Sequence, residues 1–115
     1  MNIRIVNLRN YVMTDDEILI RLDRSNKVLG NKFIMNNESQ RKVVCEQYER
    51  WFYEQIVKQN EDVRDELRRI FMIIKNNKKV AFGCWCAPKR CHTETILNYL
   101  KPHLIANDIS LGFKD

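Results

Sequence analysis

Thiols, an imidazole and cations crowd the segment Cys84-Trp85-Cys86-Ala87-Pro88-Lys89-Arg90-Cys91-His92. Three of the four cysteines and one of the two histidines fall inside these nine residues. Thiolates are nucleophiles and soft metal ligands, and imidazole exchanges protons near neutral pH. The apolar run Val80-Ala81-Phe82 precedes the segment, and a helical pattern opening at Thr93 follows it. A strand that hands over to a helix exposes the unpartnered N–H groups and the positive dipole end of that helix. Lys89, Arg90 and His92 add side-chain donors there. Phosphate or carboxylate is the expected guest. The same field lowers thiol pKa values and makes Cys86 and Cys91 candidate thiolates.

Four readings of this loop compete. One is binding of a phosphorylated or nucleotide-like ligand, with the cysteines shaping the pocket or acting on its occupant. A second is structural zinc held by Cys84, Cys86, Cys91 and His92. The ligand types suit zinc, but all four come from one short loop, without the second knuckle common in such sites. A third is phosphatase chemistry, since Cys84 and Arg90 have Cys-x5-Arg spacing. Pro88 interrupts that loop, and no glycine lies between the two. The fourth is plain packing, with cysteines as small buried residues and His92-Thr93 as a helix cap. Haem attachment finds no support, because Cys-x-x-Cys-His is absent.

The elements that must position this loop read as follows. Ile3 to Leu8 alternates and is β-branched, which predicts a first strand. Thr14-Asp15-Asp16-Glu17 resembles a capping box, yet Ile18 to Asp23 alternates like a strand, and strand is the assignment adopted. Arg24 to Asn37 is a loop containing Gly30. Ser39 to about Lys58 is a helix with Val44, Tyr48, Trp51, Phe52 and Ile56 on one face, and its Cys45 reads as a small buried hydrophobe. Glu61 to about Asn76 is a second helix, capped by Asn60. Asn76-Asn77 forms a turn. Lys79 to Trp85 is a central strand, ended by Pro88. Thr93 to about Asn107 is the last helix, kinked or shortened by Pro102. Ile109 to Asp115 is either a frayed tail or an added strand. Strands and helices in this order predict one α/β domain over residues 1–115, a short sheet covered by helices.

Composition narrows the setting. The chain has 115 residues, 44% of them apolar, which suits one core. No stretch is long and apolar enough to span a bilayer. The N-terminal residues lack the layout of a secretory signal, so a cytoplasmic protein with reduced thiols is expected. Twenty basic and fifteen acidic residues give a net charge of +5. That excess favours anionic partners without an unbroken basic block, so nucleic acid is a possible partner but not the favoured one. A homo-oligomer stays open.

The pattern Gly83-Cys84-Trp85-Cys86-Ala87-Pro88, followed by Cys91-His92, resembles the signature of a bacterial and phage family, domain of unknown function 4326. Val6-Asn7-Leu8-Arg9 is similar to that family's first strand. Leu29-Gly30-Asn31-Lys32-Phe33 is similar to its Gly-Asn-Pro-Phe loop. Arg41, Val44, Tyr48 and Trp51 match the helix that follows. The chain departs at Lys32, where the family has Pro, and at Thr93, where it commonly has Gly. Asp23-Arg24-Ser25 replaces a glycine-bearing segment. These departures imply a tighter or altered pocket.

The resemblance implies a Rossmann-like α/β domain with a small-ligand site and strengthens the strand at Ile18 to Asp23. It also groups residues into one site. Asn7 and Asn31 would orient a base or sugar, while Arg9, Arg24 and Arg90 would meet phosphate charge. Lys89 and Thr93 belong to the same binding set. Trp85 would stack on a ring or pack in the sheet, and Gly30 would allow close backbone approach or simply form a turn. Arg41 would reach in from its helix start or stay solvated. The expected protein is phage-encoded or bacterial, acts in the (host) cytoplasm, and binds a nucleotide-derived or other phosphorylated small ligand. It either modifies that ligand, with Cys86 or Cys91 as nucleophile and His92 as acid/base, or sequesters it. The expectation carries no required cofactor. Its alternative is a zinc-stabilised nucleic-acid- or protein-binding module.

Overall fold

The computed structural model describes residues 2–114. Three strands, β1 (Asn2–Asn7), β2 (Glu17–Arg21) and β3 (Lys79–Cys84), form one sheet in the order β1-β3-β2. Both pairings are parallel. The helices are α1 (Arg41–Val57), α2 (Glu61–Asn76) and α3 (Thr93–Ala106), and a 3-10 turn at Glu38–Gln40 leads into α1. The chain is thus an α/β protein, as its alternating patterns predict.

β3 is the central strand, and five of its six residues are buried, which explains its unbroken apolar run. Its register places Ile3, Val80 and Ile18 in one row across the sheet and Ile5, Phe82 and Ile20 in the next. Val80, Phe82 and Ile20 join the same core as Tyr48 and Phe52 of α1, Leu67 and Phe71 of α2, and Ile96 and Leu100 of α3. The opposite rows carry small residues. Ala81 lies between Arg4 and Leu19. Gly83 leaves room for Leu8, whose Cδ2 would sit 2.6 Å from an added Cβ.

The capping-box pattern before β2 does not become a helix. The Glu17 carboxylate is taken across the sheet by Arg4, through Nε at 2.8 Å and Nη2 at 2.7 Å, and by the Tyr11 hydroxyl at 2.7 Å. These bonds, Arg4's first, hold the Glu17 carboxyl down at about 2. The Asn60 side chain does cap α2, accepting from the N–H groups of Asp62 and Val63. Pro102 neither ends nor shortens α3, which runs on to Ala106 before Asn107 turns left-handed at φ 53°. The last segment is neither frayed nor a strand. Leu111 and Phe113 are buried, Tyr99 donates to the Leu111 carbonyl, and Gln59 holds both Gly112 and Lys114. Asp115, the final residue of that expected tail, lies outside the described residues. Among the described residues, no helix is long and apolar enough to cross a membrane.

The loop after β2 is wound tightly on itself. Asn26 Oδ1 accepts from the N–H groups of Val28 and Leu29, and Gly30 N–H donates to the Asn26 carbonyl at 2.9 Å. The Tyr48 hydroxyl fastens this turn to α1 through the Leu29 carbonyl at 2.6 Å. A Cβ on Gly30 would lie 2.5 Å from two backbone oxygens, those of Asn26 and Asp23. Gly30→Ala is therefore expected to cost about 1–3 kcal/mol of stability, because neither carbonyl can move aside. Gly83→Ala should cost less, because the nearest atom there is the end of the flexible Leu8 side chain. Urea unfolding of the two variants checks that order.

Candidate functional site

Because all three strands run parallel, their carboxyl ends share one edge of the sheet, where ligands bind in open α/β folds. A cavity of about 310 Å³ opens at that edge. The loop after β2 contributes Asp23, Arg24 and Asn31 to its wall, with Phe33 and Met35 beyond them. The end of β3 and its loop contribute Cys84, Trp85, Cys86, Arg90, Cys91 and His92, and α1 adds Arg41, Val44 and Cys45. All four cysteines of the chain thus face one space.

Cys91 is the hub of the sulfur group. Its thiol shares one cavity wall with Cys84 and Cys86, near enough that each shifts the proton affinity of the others. Cys91 lowers the Cys86 thiol well below the ordinary range; burial opposes this, and the adjacent Arg41 guanidinium reinforces it. Cys84 is lowered too, first by Cys91 and then, against burial, by the backbone N–H groups of Cys86 and Ala87. Cys91 moves the opposite way, raised by Cys84, by Cys86 and by burial. One negative charge therefore suits the group, and a second is opposed by the first. That charge belongs on Cys86, which is only half-buried and faces Arg41; Cys84 and Cys91 are buried. Cys45 is raised by burial.

His92 is buried, and both its ring nitrogens are engaged. Nε2 lies 2.5 Å from the Leu22 carbonyl, so it must carry the proton. Nδ1 is then a bare acceptor, 3.2 Å from Cys91 Sγ. The ring stands edge-on to Tyr48, with centroids 4.9 Å apart. Burial lowers its pKa, against the Leu22 bond and the Asp23 charge. Among the described residues, no group of three or more His, Cys, Asp and Glu side chains is arranged to hold a metal ion.

The start of α3 is closed by the chain itself. Glu94 N–H bonds the Cys91 carbonyl at 3.1 Å, and the N–H groups of Thr95 and Ile96 turn to the His92 carbonyl. The Glu94 carboxylate also accepts from Cys91 N–H at 3.0 Å. Positive charge in the cavity comes instead from Arg24, Arg41 and Arg90. Arg41 is the most tied of the three. It grips Glu38 with two bonds, donates to the Arg90 carbonyl at 2.9 Å and shares the cavity wall with Cys86. Arg24 uses Nε on the Asn31 carbonyl. Among the described residues, the Arg90 guanidinium has no ion-pair partner, and it is exposed.

The other sequence-predicted residues divide. Trp85 does not pack in the sheet. It stands 53% exposed at the rim, with its indole N–H donated to Asp23 at 3.0 Å. Asn31 lines the cavity while its Oδ1 accepts from Phe33 N–H. Asn7 lies behind the loop and braces it, donating to the carbonyls of Trp85 and Ala87. Arg9 and Lys89 do not line the cavity, and Lys89 reaches Glu38 at 3.2 Å. Gly30 closes its own turn. Thr93 is fully buried, with Oγ1 lacking a partner. Cys84, the last residue of β3, is buried where the loop leaves the strand.

Sequence reasoning missed Asp23 and Cys45. The signal for Cys45 was its position one turn beyond Arg41, which puts both on one face of α1. Asp23 lay inside the expected strand. Its carboxyl, despite burial, is held far below the usual range by Arg21, Ser25 and Trp85.

Residues 5–102 match the family described as domain of unknown function DUF4326, and the chain belongs to that family. Neither curated proteins nor solved structures yield a match to the chain.

Two pH responses follow from this geometry. His92 is neutral in the fold and titrates near its ordinary value when unfolded. Below that value the unfolded chain binds the extra proton, so stability falls as pH drops from about 7.5 to 5.5. His92→Gln keeps a donor for Leu22 without titrating, and its urea midpoint should vary less over that range. The ultraviolet thiolate band of the reduced protein should report one thiolate per chain at neutral pH, and Arg41→Ala should move its titration upward.

Proposed function

We propose that this member of the DUF4326 family binds a small anionic ligand of the nucleotide-derived class in the cavity at the carboxyl edge of its sheet. The observation that carries the reading is a concave, largely apolar site with three guanidinium groups in its wall, two of them (Arg24 and Arg90) without an ion-pair partner among the described residues, and an indole at its mouth. Guanidinium forks match phosphate oxygens with paired bonds, and an exposed indole offers a face to a planar ring. A cavity of about 310 Å³ is at the small end of ligand sites and suits one nucleotide-sized fragment. The Rossmann-like reading belongs here as well, resting on the parallel order β1-β3-β2 and on loops that meet at one edge. The setting it assumes is a cytoplasm that keeps thiols reduced, with the chain encoded by a phage or its host.

Arg90 and Arg24 act as the phosphate contacts. Arg41 holds the loop and adds charge. Asn31 and Asp23 border the place where a ring would lie against Trp85. Sequestration needs nothing more. One observation favours a second, enzymatic reading: Cys86 sits half-exposed in the cavity wall with its thiol pKa lowered beside Arg41. In that version Cys86 is the nucleophile. His92 does not serve it, since its ring nitrogens face Leu22 and Cys91.

The test begins with native mass spectrometry of protein taken directly from cells, followed by calorimetric titration with nucleoside monophosphates and inorganic phosphate. Arg90→Ala and Arg24→Ala should each weaken binding about tenfold, the worth of one charge-assisted pair. Arg9→Ala should leave it unchanged. Cys86→Ser retains binding in both versions and abolishes turnover only in the enzymatic one. Absence of any phosphate-bearing occupant and of any titration heat would remove the proposal. One zinc per chain in elemental analysis would replace it with the zinc-stabilised binding module.

A further inference from the structure

We infer that Cys86 and Cys91 form a hydroperoxide-responsive thiol pair that closes to a disulfide. The inference stands apart from what the cavity binds. It rests on a juxtaposition in one cavity wall: a thiol that reaches the cavity, a cation, and a second thiol bonded to a base.

Each part is visible. Cys86 is half-buried and lines the cavity, so a small oxidant can reach it. The Arg41 guanidinium, itself fixed by Glu38 and the Arg90 carbonyl, lines the same wall and favours its thiolate. Cys91 is buried, lines the same cavity as Cys86, and has the unprotonated Nδ1 of His92 at 3.2 Å. Structural disulfides are rare where thiols are kept reduced, but transient and sensing ones occur there. An accessible thiolate beside a resolving thiol is the usual composition of such a sensor.

The chemistry balances with a hydroperoxide as the only added reactant. The Cys86 thiolate attacks the outer oxygen of the O–O bond. An S–O bond forms, the O–O bond breaks, and the departing alkoxide or hydroxide takes up a proton, giving a sulfenic acid at Cys86. Cys91 sulfur then attacks Cys86 sulfur. The S–S bond forms, the S–O bond breaks, and hydroxide leaves. His92 Nδ1 receives the Cys91 proton and passes it to that hydroxide, which departs as water. In sum, two thiols and one hydroperoxide give one disulfide, one alcohol or water, and one water. Five residues apart in one loop and on one cavity wall, the two sulfurs can approach to a bond length of about 2.05 Å. Cys84 also lines the cavity but is buried at the end of β3, so the oxidant meets Cys86 first.

The test uses the full reduced chain and one equivalent of hydrogen peroxide or cumene hydroperoxide. The intact mass should fall by two hydrogens, and peptide mapping should place the bond between Cys86 and Cys91. Cys86→Ser should slow peroxide-driven thiol loss about tenfold or more, and Cys45→Ser should not change it. Cys91→Ser should leave the Cys86 sulfenic acid to be captured by dimedone. Should that variant fail to fold, wild-type protein sampled early in the reaction should show the same adduct, at Cys86 only. A bond that includes Cys45 or Cys84, a dimedone adduct first at another cysteine, or no disulfide under these conditions would overturn the inference.

Discussion

The hydrogen bond from the buried imidazole of His92 to the Leu22 carbonyl is the constraint on which the site depends. It joins the chain just past β2 to the residue that opens α3, seventy positions later. Leu22 N–H is bound in turn to the Gly83 carbonyl, so the tie continues into β3. The bond fixes the tautomer, and the tautomer leaves Nδ1 bare toward Cys91. Burial keeps the ring neutral, because a charged imidazole there would lose its hydration without a carboxylate in direct contact. One buried side chain therefore sets the path of the loop and the polarity of the sulfur group.

Around that tie the loop is held from several sides. Asn7 braces it from β1, Arg41 from α1, and Glu38 holds both Arg41 and Lys89. These bonds use up groups that a bare sequence offers to a ligand. The N–H groups at the head of α3 are taken by Cys91 and His92, and the Glu94 carboxylate occupies the approach. What faces the cavity is accordingly a set of arginines on three separate elements. Arg41 compensates the Cys86 thiolate, while Arg90 stays uncompensated. The division separates a cation that serves the protein from one that can serve a guest.

Much of the fold was legible because its signals were periodic and strong. α2 showed its five buried positions at helical spacing and its Asn60 cap, and β3 showed the continuous apolar run of a strand flanked on both sides. The loop from Cys84 to His92 was found for its chemistry, which is local in sequence. Long-range pairing was not legible. Whether Glu17 caps a helix or answers Arg4 is decided across the sheet, thirteen residues away. Nothing near Trp85 announces Asp23, sixty-two residues earlier, as the partner of its indole. Asn7 looked like a ligand contact because a free amide and one that braces a loop have the same letter. Pro102 looked like a break, yet the helix continues through it to Ala106. The tail looked loose because Leu111 and Phe113 are too few to show a period, although both are buried.

The indole of Trp85 is tethered to a carboxylate whose other bonds, to Arg21 and Ser25, keep it in place. A ring so anchored does not collapse onto the apolar wall behind it. The mouth is consequently preorganised by bonds within the protein itself. For the proposed anionic ligand, capture would then be governed by encounter frequency, which the arginines around the opening would raise at low ionic strength and dissolved salt would damp.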